Sequence, residues 1–441
     1  MTAIEQTPDW PTAVRSRLSG GRVLGVDNSV WLYRTVPLAP VVDAASPAES
    51  VEPAEPLLAA FDELAAITTV GLKRRAASKG NYRRIHLLLV NLPWEYDPAP
   101  GPIAEYLADS YRGRVVDRRV LMFGVRLVDK ISNRGGLRAA VDSVVETLVS
   151  GGRPISDFDV DTAAVEAALT RSGLATPTHE EFAAVEAWWN HGVHADTPVL
   201  EHTDHLHVFS EIAAVETAAA EPLNCSNWPA DDGRHAITFA TVKEFDGGVV
   251  PVDSPAAWWV PALLAEGALA VSIRGLIEPC EITREELRRR KKQILDDLRE
   301  RVTADKLERS EQDEMFQMVT AVEADYAGPV PPTLVDASVL VAFDGKVGDM
   351  AEVARGSGLL LRSMDMRQRQ AWAETMVASA VSANPYLHDL PAQLIACSGL
   401  PSLSRVGDAD GAQLGFTERD RQPVFLSPEA ASKSDSAPLV L

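Results

Sequence analysis

Residues 22–37, RVLGVDNSVWLYRTVP, carry Val, Leu, Trp and Tyr on both sides of Asp27-Asn28. That pattern predicts one or two strands with a turn at the Asp-Asn pair, because large β-formers flank two residues that accept turn geometry. Residues 39–56 are rich in proline and poor in bulky apolar side chains, which predicts an exposed loop. Helical spacing follows over Leu57–Leu72, then a basic turn over Lys73–Arg84, then the apolar run Ile85–Leu92 (IHLLLVNL), which suits a buried strand. A second strand over Asp117–Asp129 and a helix from Leu137 to Val149 complete an expected α+β lobe over residues 1–150.

From Ser156 to Ser210 the pattern is helical. Thr178-His-Glu-Glu181 has the form of a capping box ahead of the apolar stripe Phe182, Val185, Trp188 and Trp189. Residues 151–217 are therefore expected to be a helical segment, and 218–233, small and polar, a linker. Beyond it, strands are expected over Ala236–Phe245, Ala268–Ile277, Leu334–Phe343 and Gly358–Met364. Helices are expected over Ala256–Gly267, from the capping-box form Thr283-Arg-Glu-Glu286, from about Ser310, over Gly348–Gly356 and over Arg367–Ser382. The order β-α-β-α-β-α-β predicts a second α+β lobe over 234–403, ferredoxin-like in its split βαβ arrangement, with a long helical arm. The expected fold class is thus α+β: two βα lobes with a helical segment between them. Residues 404–441 lose regularity and end in Leu-Val-Leu, like the start of a buried strand whose domain is missing.

Charge narrows the function. Lys and Arg number 42 and Asp and Glu 63, a net charge of −21, which argues against a direct nucleic-acid binder, since affinity for polyphosphate comes from a cationic surface. The three cysteines, Cys225, Cys280 and Cys397, are too far apart for a CxxC clip and suit a reducing compartment. No signal-peptide core is present, and no run reaches the roughly 18 to 20 apolar residues that cross a bilayer. A cytoplasmic protein, at most peripheral to the inner membrane, is expected.

Nucleotide and hydrolase signatures do not occur. GxxxxGK[ST], GxGxxG after a strand, GxSxG and HExxH are all missing, and Asp344-Gly-Lys-Val-Gly-Asp349 matches a phosphate loop only in composition. No catalytic or cofactor-binding residue is therefore expected in this chain. Five of the nine histidines fall between His191 and His207; His202, His205 and His207 could converge on a metal, or be polar positions at a helix end and loop. Two basic clusters stand out, Lys73, Arg74, Arg75, Lys79, Arg83 and Arg84, and Arg112, Arg114, Arg118 and Arg119. Each could meet an acidic partner or lipid headgroup, or be ordinary solvated surface. Arg74, Arg75, Arg83 and Arg84 are the candidate docking residues. Of the pairs Trp188-Trp189 and Trp258-Trp259, one member each is expected in the core and one at an interface.

The C-terminal third resembles the region that precedes the motor domain in TraC-like conjugative-transfer ATPases of type IV secretion, in the FtsK–HerA superfamily. Arg367–Ser382, Ala396-Cys-Ser-Gly-Leu400, Gly415-Phe-Thr417, Gln422–Pro428 and Ala437–Leu441 carry the resemblance, with Val23–Pro37 fitting the family's N-terminal region. It implies a non-catalytic docking and assembly region that anchors the motor to inner-membrane channel components, to neighbouring subunits of an oligomer and to acidic lipid. ATP and Mg would belong only to a motor domain after Leu441. Two alternatives from other classes are a stand-alone cytoplasmic adaptor of a mobile genetic element and a metal-dependent enzyme centred on His191–His207.

Overall fold

The computed structural model describes residues 14–25, 27–42, 51–72, 82–98, 104–129, 152–189, 199–200, 205–207, 223–225, 235–245, 258–303, 320, 328, 331–344, 358–364, 367–408, 411–418 and 421–427. The first stretch contains β1 (Val14–Leu18), β2 (Arg22–Gly25), β3 (Val30–Thr35) and β4 (Ala39–Val42). Helix α1 (Val51–Leu72), β5 (Arg83–Glu95), α2 (Ala104–Ser110), β6 (Val115–Arg126), β7 (Gly152–Pro154), α3 (Asp159–Arg171) and α4 (His179–Trp189) follow. The short strands β8 (Val199–Leu200), β9 (His205–His207) and β10 (Leu223–Cys225) precede β11 (His235–Phe245), α5 (Trp259–Ala265), β12 (Ala268–Glu278) and α6 (Cys280–Thr303). The remainder comprises β13 (Leu334–Asp344), β14 (Leu359–Ser363), α7 (Gln368–Thr375), β15 (His388–Pro391), α8 (Ala392–Ala396), β16 (Ser402–Arg405), β17 (Ala412–Phe416) and β18 (Pro423–Leu426).

The fold is α+β, built on a mostly antiparallel 12-stranded sheet of order β10-β11-β13-β12-β5-β6-β3-β2-β1-β8, with β14 on β11 and β15 on β13. Strands from residues 1–150 and from 234–403 thus share one sheet, joined where β5 pairs antiparallel with β12, His86 opposite Arg274. The order is symmetric about that join: β6 lies between β3 and β5 on one side, and β13 between β11 and β12 on the other.

Strand alternation divides the core in two. Leu87, Leu89, Leu121, Phe123, Ile273 and Val341 point to one face, covered by α1, α5 and α8. Leu88, Val90, Met122, Tyr33, Phe239 and Leu340 point to the other, covered by α4 and α7. Burial on both faces is why Ile85–Leu92 reads as a continuous apolar run rather than an alternation. Gly124 is required by this packing, since a Cβ there would sit 2.3 Å from the Tyr33 ring. Among the described residues no helix is long and apolar enough to cross a membrane.

Several expected boundaries shift. Residues 39–56 are not wholly loop. Ala39–Val42 pairs in parallel with β16, and α1 begins at Val51, because Ala54, Leu57, Phe61 and Leu64 form one buried stripe that outweighs the cost of Pro56 inside the helix. The capping box at Thr178 forms: its N–H donates to Glu181 Oε2 (2.7 Å) and Glu181 N–H donates to Thr178 Oγ1 (3.2 Å). Thr178→Ala should cost about 1 kcal/mol, read as a lower urea midpoint at unchanged slope. At Thr283 the capping-box form lies inside the helix, since α6 already starts at Cys280, and the Thr283 hydroxyl donates to Glu278 (2.5 Å). Helix α7 stops at Thr375 rather than Ser382, because Met376 turns extended (φ −68°, ψ 146°) and Ala378 then takes a left-handed conformation (φ 55°) that an α-helix cannot resume through. The helices expected at 137–149, 348–356 and near 310 lie outside the described residues.

Candidate functional site

The four candidate docking cations have different fates. Arg74 and Arg75, with Lys73 and Lys79, lie outside the described residues. Arg83 is not a surface cation. It opens β5 pointing at the helical layer, 8% exposed, and holds Asp161 of α3 through two bonds of 2.9 and 3.0 Å while its Nε donates to Thr68 Oγ1 of α1 (3.2 Å). Asp161 also accepts the Val128 N–H at 2.8 Å. Strand alternation turns the next residue, Arg84, to the opposite face, where it is exposed beside Leu276 of β12. One residue of offset separates a buried strut from a free cation.

The second basic cluster is used inside the chain. Arg114 lies over the Phe416 ring (5.1 Å), Arg118 over Trp94 (4.9 Å), and Arg119 donates to Asn91 Oδ1 (3.2 Å) and the Ser402 carbonyl (3.1 Å). Arg112 pairs with Asp109 at the surface (2.6 Å). These contacts seat the β17–β18 hairpin: Phe416 packs edge-on against Tyr96 and Tyr111 at 5.0 Å each, Tyr96 Oη donates to Gln413 (2.7 Å), and Gln422 donates to the Asp117 carbonyl (2.6 Å). Cation–π attraction positions the Arg114 and Arg118 guanidinium groups over the Phe416 and Trp94 rings.

Of the candidate metal ligands, His205 and His207 lie in β9, paired with β7, and His202 lies outside the described residues. Among the described residues, no group of three or more His, Cys, Asp or Glu could hold a metal ion. Trp259 is buried, while Trp258 is half-buried and covers Gly399, where a Cβ would lie 2.0 Å from the indole nitrogen. A cavity of about 300 Å³ is lined by Ser19, Gly20, Arg22, Asp159, Thr162 and Glu166. Arg34 lies behind it, 1% exposed, donating to the Gly20 carbonyl (2.7 Å) and to Glu166 (2.5 Å). The lining has cations and carboxylates already paired to one another, and no histidine or cysteine.

A polar seam at the join of the two halves has no counterpart among the candidates named above. Tyr33 Oη lies 3.1 Å from His86 Nδ1, and His86 Nε2 lies 3.0 Å from Ser272 Oγ, linking β3, β5 and β12. The Ala378 N–H donates to Tyr33 Oη (2.8 Å), which leaves the phenol hydrogen available to His86 Nδ1, while Nε2 shares a hydrogen bond with Ser272. Burial drives the His86 pKa well below its ordinary 6.5, with the charge of Arg274 acting in the same direction. Burial pushes the Tyr33 phenol up, against the Ala378 hydrogen bond and Arg274, so both rings stay neutral through the physiological range. The Ser-His-Tyr order has the form of a nucleophile, base and orienting group. All three are sealed, Ser272 at 1% exposure and the other two at 0%, so the chain of bonds is a strut and not a reactive centre.

No protein-family model matches the chain, and a search of curated proteins finds no match to it either.

Proposed function

We propose that this chain is the non-catalytic N-terminal docking and assembly region of a TraC-like ATPase of bacterial conjugation or type IV secretion, holding its motor against inner-membrane channel components and neighbouring subunits. What supports this reading is the way the segments behind the resemblance are tied to the N-terminal half. Gly415–Thr417 and Gln422–Leu426 are held on β5 and β6 by Tyr96, Tyr111, Arg114 and Asp117. Ser402 is held by Arg119, and Ala378 by Tyr33. A load arriving through residues 402–426 therefore passes into β5 and β6 at the middle of the sheet. Each half reads as a ferredoxin-like unit: β3-α1-β5 with β6 inserted between its strands, and β11-α5-β12 with β13 inserted.

Arg84 is the exposed cation of the docking patch that the described residues retain. An acidic body carrying a local positive ledge is oriented by an acidic partner, and added salt weakens the contact. The test mixes purified chain with inner-membrane vesicles made with and without the conjugation channel components. Recruitment should require those components, fall as ionic strength rises from about 0.05 to 0.5 M, and drop for Arg84→Glu with its melting temperature unchanged. Equal recruitment to both vesicle types would refute the docking reading; recruitment that ignores both salt and Arg84→Glu would refute the patch.

A further inference from the structure

Residues 376–384 connect α7 to β15 without helix or strand, yet Met376, Val377, Ala378, Ser379, Ala383 and Asn384 are buried. Burying irregular backbone is costly unless its N–H and C=O groups find partners. Here the partners are side chains reaching up from the sheet. Tyr33 of β3 accepts the Ala378 N–H (2.8 Å), and Arg274 of β12 donates to the carbonyls of Val381 (2.9 Å) and Ser379. Glu374, at the end of α7, accepts the N–H groups of Asn384 (2.9 Å) and Ala383, and is itself held by Ser338 Oγ of β13 (3.1 Å). Thr241 of β11 donates to Asn384 Oδ1 (2.7 Å).

The segment crosses the join of the two halves, anchored to the N-terminal half by Tyr33 and to the C-terminal half by Arg274, Ser338 and Thr241. Beneath it lie Trp31, 3% exposed and 5.7 Å from the Arg274 guanidinium, and the Tyr33 ring. We infer that residues 376–384 are a latch that opens as a unit while β5 and β12 stay paired, uncovering the apolar floor around Trp31 and Tyr33. Two features set its opening apart from global unfolding. Its anchors are side-chain bonds from Tyr33, Arg274, Glu374 and Thr241 rather than a backbone ladder, and Ala378 is held at φ 55°, a conformation a non-glycine residue keeps only under constraint.

Hydrogen exchange on the intact chain tests this. In the parent, the amides of Ala378, Ala383 and Asn384 should exchange at least tenfold faster than those of Leu88 and Ile273 in the paired strands. Tyr33→Phe, which removes the acceptor for Ala378, should accelerate the latch amides at least a further tenfold and leave Leu88 and Ile273 unchanged. Because Tyr33→Phe also breaks the His86 contact, Glu374→Leu, which removes the acceptor shared by the Ala383 and Asn384 N–H groups, provides an independent release and should give the same selective acceleration. Latch and strand amides exchanging at one common rate in the parent would overturn the inference. So would variants in which both sets accelerate together.

Discussion

Replacing Asp161 with Ala should destabilise the chain by about 3–5 kcal/mol, the cost of leaving a buried charge without its partner. Arg83 is 8% exposed and Asp161 9%, and the carboxylate also serves the Val128 N–H, so its loss strands a guanidinium and a backbone donor together. Arg83→Glu should do at least as much damage, because two carboxylates would then share one buried site. The double change Arg83→Met with Asp161→Leu is the informative comparison. Well-packed apolar replacements remove both charges and their desolvation cost, so the double variant should recover most of what either single change loses. Urea unfolding at constant slope checks all three. If the double variant were no more stable than Asp161→Ala, the pair would not be acting through mutual neutralisation.

Acid should weaken the fold well before its carboxylates titrate, and His86 should account for it. The sign follows from linkage. The unfolded chain binds a proton at His86 below about 6.5 while the folded chain, with a depressed pKa, does not. Stability is therefore complete above pH 6.5 and is lost as pH falls from there toward the folded value, by up to about 1.4 kcal/mol per pH unit. Among the described residues, the groups facing the ring are Tyr33 from β3 and Ser272 and Arg274 from β12, with Arg84 beside Arg274, and no carboxylate is bonded to it to favour the imidazolium. Between pH 7 and 5.5 the parent should lose about 1 kcal/mol more than His86→Gln. Parallel pH profiles for the two would remove His86 from the account. Tyr33 mirrors it on the alkaline side: its raised pKa means stability falls as pH climbs past the ordinary phenol value of about 10.

The elements that decide the fold were legible where apolar runs are long and buried on both faces. Ile85–Leu92, Ala236–Phe245, Ala268–Ile277 and Leu334–Phe343 all lie within strands of the sheet. A helix start was legible where the capping residue directly precedes the helix, as Thr178 precedes His179. At Thr283 the same motif sits one turn inside, because Cys280 and Pro279 begin the helix. The roles of single polar residues were not legible. Arg83 looks like one more cation in a basic run, and its partner is 78 residues away. His86 does give a signal, a titratable ring inside IHLLLVNL that must find partners if the strand is buried. Nothing local says that those partners stand 53 residues before it and 186 after it.

The join between β5 and β12 also sets a timetable for synthesis. His86 and Ser272 are 186 residues apart, so a ribosome adding about 5–20 residues per second needs roughly 10–40 s to deliver the second strand after the first. Within that interval β6 emerges soon after β5 and joins β3 and α1 in folding against it, but the other edge of β5 has no strand to pair with. The edge that β12 later covers runs for eight residues, Arg83–Val90, and includes Leu87, Leu88, Leu89 and Val90. An exposed apolar edge of this length is a template for pairing between nascent chains. Yield during expression should therefore depend on elongation rate and on chaperones that bind extended apolar segments, far more than the stability of the finished protein would suggest.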